Sequence, residues 1–326
     1  MYKNISILSI VALFMLAGCN YNNIREQTSS ADNSPLVDSL GITIDSLRNR
    51  AIHFTETDQL IEAMTDINTV IEIEGLTIDN SIALAEVYLR MGKIDQAQRT
   101  LINVLDVNQN SAQLLGAVAR IYLVKENYEL CHQYAANAFR ADPSFAMPVF
   151  IDGMAYLEDG DTLAAINCFS NVVVVDPENY DAMIQLGLLY SSLNNPLALQ
   201  YLNAADKVKP GGTEALHLIG LFYQQNGYFR EALNSYKKIL DAFPDYVHAQ
   251  YNSGYIHLVY LNQYDSAEMF FQKAIDIAPN YVDAIYNLGY AFELDGDVVQ
   301  AREKYSQVLN LLPEYTLASE GLARLP

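Results

Sequence analysis

The chain has 326 residues, of which 51% are hydrophobic, with 39 acidic residues against 19 Lys and Arg and a formal net charge of −20. Such acidity excludes a nucleic-acid binder, which needs a basic face for phosphates, and disfavours adhesion of the protein itself to anionic lipid. With only 3 cysteines, a disulfide framework is excluded as well.

In chain order, the first element is a leader. Lys3 is followed by an uncharged apolar run over residues 5–17, too short to span a bilayer comfortably but of signal-peptide length. The run ends in Leu16-Ala17-Gly18-Cys19, which resembles the lipobox of bacterial lipoproteins. The resemblance implies a signal peptide over 1–18, diacylglyceryl transfer to the Cys19 thiol, cleavage before Cys19 and acylation of the new amine. The competing expectation is an uncleaved membrane anchor. Asn20 replaces the aspartate of an inner-membrane retention signal, and Tyr21 to Ile24 lack the acidic run of surface-exported lipoproteins. Both absences point to the periplasmic face of the outer membrane. Residues 19–43 read as the lipidated cysteine and a flexible tether, rich in Asn, Ser, Asp and Thr. Such a chain reaches roughly 25–30 Å root-mean-square.

From residue 44 the sequence is periodic. Tyr88, Tyr122, Tyr156 and Tyr190 stand 34 residues apart. Three residues before them lies a small column, Ala85, Ala119, Gly153 and Gly187, which extends back to Ala51 and on to Gly220, Gly254 and Gly289. A second small column runs from Ala63 and Ala97 through Cys131 to Ala301, with bulky residues such as Phe169, Tyr236, Phe271 and Tyr305 four positions later. Prolines close the units at Pro143, Pro177, Pro210, Pro244, Pro279 and Pro313. Small residues let two helices approach, bulky ones fill the space between hairpins, and proline stops the second helix. Gly92, Gly160, Asn194, Gly227 and Gly296 suit the turn between paired helices.

This pattern resembles the tetratricopeptide repeat, best in residues 282–315, where Leu288, Gly289, Phe292, Ala301, Tyr305 and Pro313 are all in place. Besides the absence of tryptophan, two departures are Arg50 and Asp152, which fall in a usually apolar column. The resemblance implies an all-α, right-handed superhelical solenoid of about eight helical hairpins, over 44–77, 78–111, 112–145, 146–179, 180–212, 213–246, 247–281 and 282–315. Residues 316–326 read as a partial capping helix.

No H-E-x-x-H, C-x-x-C or G-x-S-x-G motif and no glycine-rich phosphate loop is present. The five histidines are scattered over five different units, and Cys131 and Cys168 read as small packing residues. The expectation is therefore a non-enzyme with no catalytic residues, no metal and no cofactor.

In tetratricopeptide proteins the first helices line a surface that takes partner segments. Register places two columns on that face in this chain: Arg48, Ile82, Gly116, Phe150, Ile184, His217, Tyr251 and Tyr286, and Ile52, Glu86, Arg120, Met154, Leu188, Leu221, Tyr255 and Tyr290. Tyr251/Tyr255 and Tyr286/Tyr290 are i,i+4 pairs on one helix face. They form the expected partner-binding groove with His217, His248, Phe150 and Met154; packing between hairpins is the alternative role. A column of acids, Asp45, Asp79, Asp181, Glu214 and Asp283, suits either a basic ligand or the positive end of each helix. Terminal-carboxylate recognition, as in chaperone-docking members of the family, is not expected, because no lysine accompanies Asn252 and Asn287. The functional expectation is a membrane-anchored periplasmic adaptor or scaffold for proteins of the cell envelope, in assembly or secretion. The alternative is a nutrient-binding or small-ligand-binding lipoprotein, although unit lengths of 33 to 35 leave no room for a pocket-forming insertion.

Overall fold

The structure is a computed structural model that describes residues 43–326; the leader, Cys19 and the tether up to residue 42 lie outside the described residues. Seventeen α-helices and no β-strand occur among the described residues. They fall into two units, dividing after Pro177. The first unit holds four antiparallel hairpins: α1 (Ile44–Glu56) with α2 (Leu60–Glu74), α3 (Ile78–Arg90) with α4 (Ile94–Leu105), α5 (Ala112–Val124) with α6 (Tyr128–Ala141), and α7 (Met147–Glu158) with α8 (Thr162–Val175). The second holds α9 (Tyr180–Ser192) with α10 (Leu197–Val208), α11 (Thr213–Gln225) with α12 (Phe229–Ala242), α13 (Val247–Val259) with α14 (Tyr264–Ile277), and α15 (Val282–Asp295) with α16 (Val298–Leu311), then a last helix α17 (Thr316–Arg324).

Local chemistry sets the helix ends. Thr43, Thr77, Ser111 and Asn179 accept backbone N–H groups in the first turns of α1, α3, α5 and α9, and Thr77 with Asn80 completes a reciprocal capping box. Second helices end where a proline follows two residues on. The residue before each proline is extended, at φ −147° for Asp142, −127° for Asp176, −127° for Lys209, −132° for Phe243, −128° for Ala278 and −140° for Leu312. The proline ring excludes the helical conformation there. Asp106, with no proline after it, stays helical at φ −54°.

Each hairpin turns through one residue at positive φ: Asp58, Gly92, Glu126, Gly160, Asn194, Gly227, Asn262 and Gly296. The glycine and asparagine types are the expected ones; Asp58 and Glu126 adopt the same conformation at a steric cost that glycine avoids.

The two small columns work as a lock. A Cβ added at Gly220 would lie 2.4 Å from the Tyr236 ring, at Gly187 2.3 Å from Leu202, and at Gly254 2.9 Å from Phe271. Each glycine is therefore the seat of a large residue on the second helix of its own hairpin, and Tyr236, Leu202, Phe271, Phe169 and Tyr305 are all fully buried there. Where the first-helix residue is Ala51 or Ala85, the residue sixteen positions on is Ile67 or Leu101, also buried.

The two departures are also explained by this pairing. Arg50 on α1 forks onto Asp66 of α2, with Nε–Oδ2 and Nη2–Oδ1 both at 2.6 Å. Asp152 on α7 sits 2.6 Å from Nδ1 of His132 on α6 and accepts from the Cys168 thiol of α8 at 3.7 Å. In both cases a polar group in the apolar column is met by a polar partner sixteen residues later, on the second helix.

Candidate partner-binding face

The expected site residues divide between the two units. Phe150 and Met154 belong to α7 in the first. Phe150 is partly buried, with its ring 5.2 Å from that of Phe169, and Met154 retains 6% of its surface. Both lie in inter-helix packing. Further along the same face, Arg120 pairs with Glu86 of the preceding hairpin at 2.5 and 3.1 Å.

The other six lie in the second unit, on or beside the face formed by α11, α13 and α15, where they are arranged periodically. His217 on α11 has the Tyr246 ring edge-on at 5.8 Å; Tyr251 on α13 has Tyr281 at 4.9 Å; Tyr286 on α15 has Tyr315 at 5.4 Å. Each covering tyrosine is the residue that precedes the next first helix. A second tie follows the same translation. Asn252 approaches Nε2 of His217 at 3.2 Å, and Asn287 donates to the Tyr251 hydroxyl at 3.0 Å. At the end of the unit Arg324 of α17 lies beside Tyr286 and forks onto Glu293 at 2.9 Å through both contacts. Tyr255 and Tyr290 complete the face, with ring centroids 6.3 Å from Tyr251 and 6.4 Å from Tyr286. All four tyrosines are partly exposed.

Electrostatics follow from this enclosure. His217 is boxed by Tyr246, Asn252 and the His248 ring, which stacks on it at 5.9 Å. Burial, with a smaller push from His248, takes its pKa down to about 4, so it is neutral at physiological pH. With Asn252 donating to Nε2, the ring proton resides on Nδ1 and is donated to the Tyr246 hydroxyl at 3.2 Å. His248 itself is exposed. Burial also raises the hydroxyl of Tyr281 to about 12, which keeps it a neutral hydrogen-bonding group.

Two acids of the second unit, Glu214 and Asp283, belong to the same face. Tyr180 donates to Glu214 Oε2 at 3.0 Å, and Tyr315 donates to Asp283 Oδ1 at 2.8 Å. Burial raises the pKa of Glu214, and Asp181 nearby raises it further, against the opposing effects of Tyr180 and Lys209. Lys209 Nζ stands 4.6 Å over the Tyr180 ring.

Register found the tyrosine pairs and missed their partners. Tyr246, Tyr281 and Tyr315 recur at 35 and 34 residues, and that spacing was the available signal. Asn252 and Asn287, noted only as an incomplete carboxylate clamp, are committed to His217 and Tyr251. The remaining histidines take separate roles: His257 stacks on Phe270 at 5.4 Å and contacts Gln263, while His132 pairs with Asp152. Cys131 and Cys168 are free thiols, each pushed up to about 12 chiefly by burial. Among the described residues, no group of three or more His, Cys, Asp or Glu is placed to hold a metal ion, and no helix is long and apolar enough to cross a membrane. Two broad clefts, of about 630 and 640 Å³, lie in the first unit.

Family models described as tetratricopeptide repeat match residues 82–130 and 218–282, and a second such model matches 270–303. Residues 82–130 and 218–303 of this chain thus match tetratricopeptide repeats. The C-terminal part of a TPR repeat-containing protein from Cytophaga hutchinsonii superposes with a TM-score of 0.63 at 20% identity, covering 74% of this chain and 99% of that one. A chain of the APC/C hetero-tetramer Cut9-Hcn1 gives 0.54 at 17% identity, over 86% of this chain and 55% of that one. PilW, described as a type IV pilus biogenesis factor, gives 0.53 at 18% identity over 65% and 98%. Among curated proteins, the Protein CTR9 homolog of Arabidopsis thaliana is 26% identical over 132 residues, 39% of this chain and 12% of that protein. The all-α superhelical repeat class expected from the sequence is the class of these structures.

Proposed function

We propose that the chain is a lipid-anchored, non-catalytic adaptor that gathers partner proteins of the cell envelope, in assembly or secretion, on the aromatic face of its second unit. Cys19 tethers it to the periplasmic face of the outer membrane. The observation that carries the reading is the ordered row formed by Tyr251, Tyr255, Tyr286 and Tyr290. The Tyr251 ring is held by Tyr281 and Asn287 and the Tyr286 ring by Tyr315; Tyr255 and Tyr290 stack beside them, and all four stay partly exposed. Tyrosine offers large contact area with little rotamer entropy and a polar tip, and rings fixed beforehand lose less freedom on binding. The lipobox-like Leu16-Ala17-Gly18-Cys19 supports the location.

The test is quantitative recovery of partners from membranes after brief cross-linking, with wild type beside a variant carrying alanine at all four tyrosines. A defined protein set recovered with wild type and lost from the folded variant is the expected result. Equal recovery from both overturns the assignment of the face. Separately, Cys19→Ser is expected to give a folded protein that is not acylated and washes off membranes; retention there would establish an uncleaved anchor instead.

A further inference from the structure

The face described above is acidic as well as aromatic, and its two basic residues are already engaged. Lys209 sits on the Tyr180 ring, within the field of Asp181 and Glu214. Arg324 forks onto Glu293 beside Tyr286. Lys209 is thus held over a tyrosine ring near carboxylates, where charge and ring quadrupole both attract it, and Arg324 is held by a carboxylate beside a tyrosine.

Between these two seats the negative charge is incompletely offset. Tyr180 satisfies only Oε2 of Glu214, and Oε1 is enclosed with no hydrogen-bond partner. Asp283 is exposed and receives a neutral hydroxyl from Tyr315 in place of a cation. Glu214 and Asp283 belong to the first turns of α11 and α15, with the exposed His248 and the Tyr251/Tyr255 pair on α13 between them. The chain as a whole carries −20, so no general positive field compensates.

We infer that this face accepts an extended protein segment bearing Lys or Arg side chains, whose cations lie over the tyrosine rings and against Asp283, drawn also by the field of the enclosed Glu214 carboxylate. This rests on the adaptor reading and names the chemistry of the partner. Spacing sharpens it. Neighbouring packed helices lie about 8–10 Å apart, and a polyproline-type strand, with three residues per turn, advances about 9 Å in three residues and returns every third side chain to the same side. A segment running across the hairpins therefore presents one cation per hairpin when Lys or Arg occurs at every third position.

The probes are three fluorescent twelve-residue peptides, with Arg, Glu or Ser at every third position and identical small residues elsewhere, titrated into the full chain at two salt concentrations. The Arg peptide is expected to bind at least tenfold more tightly than the Glu and Ser peptides. Its affinity should fall on raising salt from low to physiological strength, as contacts between charges are screened. Glu214→Gln and Asp283→Asn keep side-chain shape, and each is expected to weaken the Arg peptide about tenfold or somewhat less. Asp79→Asn, the equivalent first-turn acid in the first unit, should leave it unchanged. Equal binding of the Arg and Glu peptides, or Arg binding indifferent to both second-unit substitutions, overturns the inference. The four-tyrosine alanine variant separates the two levels of argument. If it abolishes peptide binding while the acid variants do not, the face binds partners without selecting cations. If neither set of variants matters, the face itself is wrongly assigned.

Discussion

Gly220→Ala tests the packing lock that gives the repeat its hairpin. Gly220 lies on α11, and the added Cβ would sit 2.4, 2.8 and 2.9 Å from three atoms of the Tyr236 ring. An ordinary carbon–carbon contact is about 3.5–4.0 Å, so the ring must retreat by roughly 1 Å. It has little room to do so. Tyr236 is fully buried, and its hydroxyl donates to Gln224 at 3.1 Å, a bond that ring movement would stretch. Overpacking of this kind costs about 1–3 kcal/mol, while alanine in place of glycine within a helix returns about 0.8–1.0 kcal/mol. The net expectation is a loss of about 1 kcal/mol, with an upper end near 2. Gly289→Ala is the internal control. There the nearest atoms lie 3.1 Å away, so small shifts suffice and the change should be near neutral. Stability would be followed by urea denaturation and by hydrogen exchange over α11 and α12, since repeat arrays need not unfold in one step. Tyr236→Leu combined with Gly220→Ala should cost less than the two single changes added together, because the smaller side chain relieves the contact. Should Gly220→Ala match or exceed wild-type stability while the two changes add independently, the glycine is not the seat of the ring.

Three further outcomes follow from named contacts. His217 has a folded pKa of about 4 against an ordinary 6.5, so below pH 6.5 the unfolded chain binds a proton that the folded one refuses. Its contribution to stability is therefore lost as pH falls from 6.5 to 4, by about 3 kcal/mol in total. Urea midpoints of wild type and His217→Gln should diverge in slope across that window, and parallel slopes would refute the assignment. Glu126→Gly replaces a left-handed non-glycine residue at φ 57° and removes a charge that repels Glu158, so it should stabilise by about 0.5–1 kcal/mol. Glu126→Ala, measured by the same denaturation, removes the charge alone and should gain less. Asp66→Ala removes the forked partner of the Arg50 guanidinium. Because the Arg50 side chain is 46% exposed and able to turn to water, the loss should be about 1–2 kcal/mol, below that of a fully buried pair.

How far the site could be read in advance depends on the kind of contact. Tyr251 with Tyr255 and Tyr286 with Tyr290 were legible because i,i+4 residues share a helix face whatever surrounds them. Phe150 and Met154 satisfied the same register, yet one packs on Phe169 and the other is buried. Register specifies a direction from the helix axis; it does not say how close the neighbouring hairpin stands. The partners of His217, Tyr251 and Tyr286 lie roughly thirty residues away, and contacts at that separation depend on the translation between hairpins. The pairs Arg50–Asp66 and Asp152–Cys168 were missed for a similar reason. Their common offset of sixteen residues acquires meaning only once the two helices of a hairpin are in register.

The sequence by itself determined the repeat class, the helix ends and the acidity of this chain. Those depend on local chemistry: a proline that forbids the preceding helical residue, a Ser, Thr or Asn that caps a first turn, and a period that recurs hairpin after hairpin. Tertiary structure decided which small residue seats which ring, which histidine is held neutral, and which tyrosines keep open surface. Each of those is a matter of distances of an ångström or two between helices, set by the summed volumes of many side chains. No single position in the sequence carries that information.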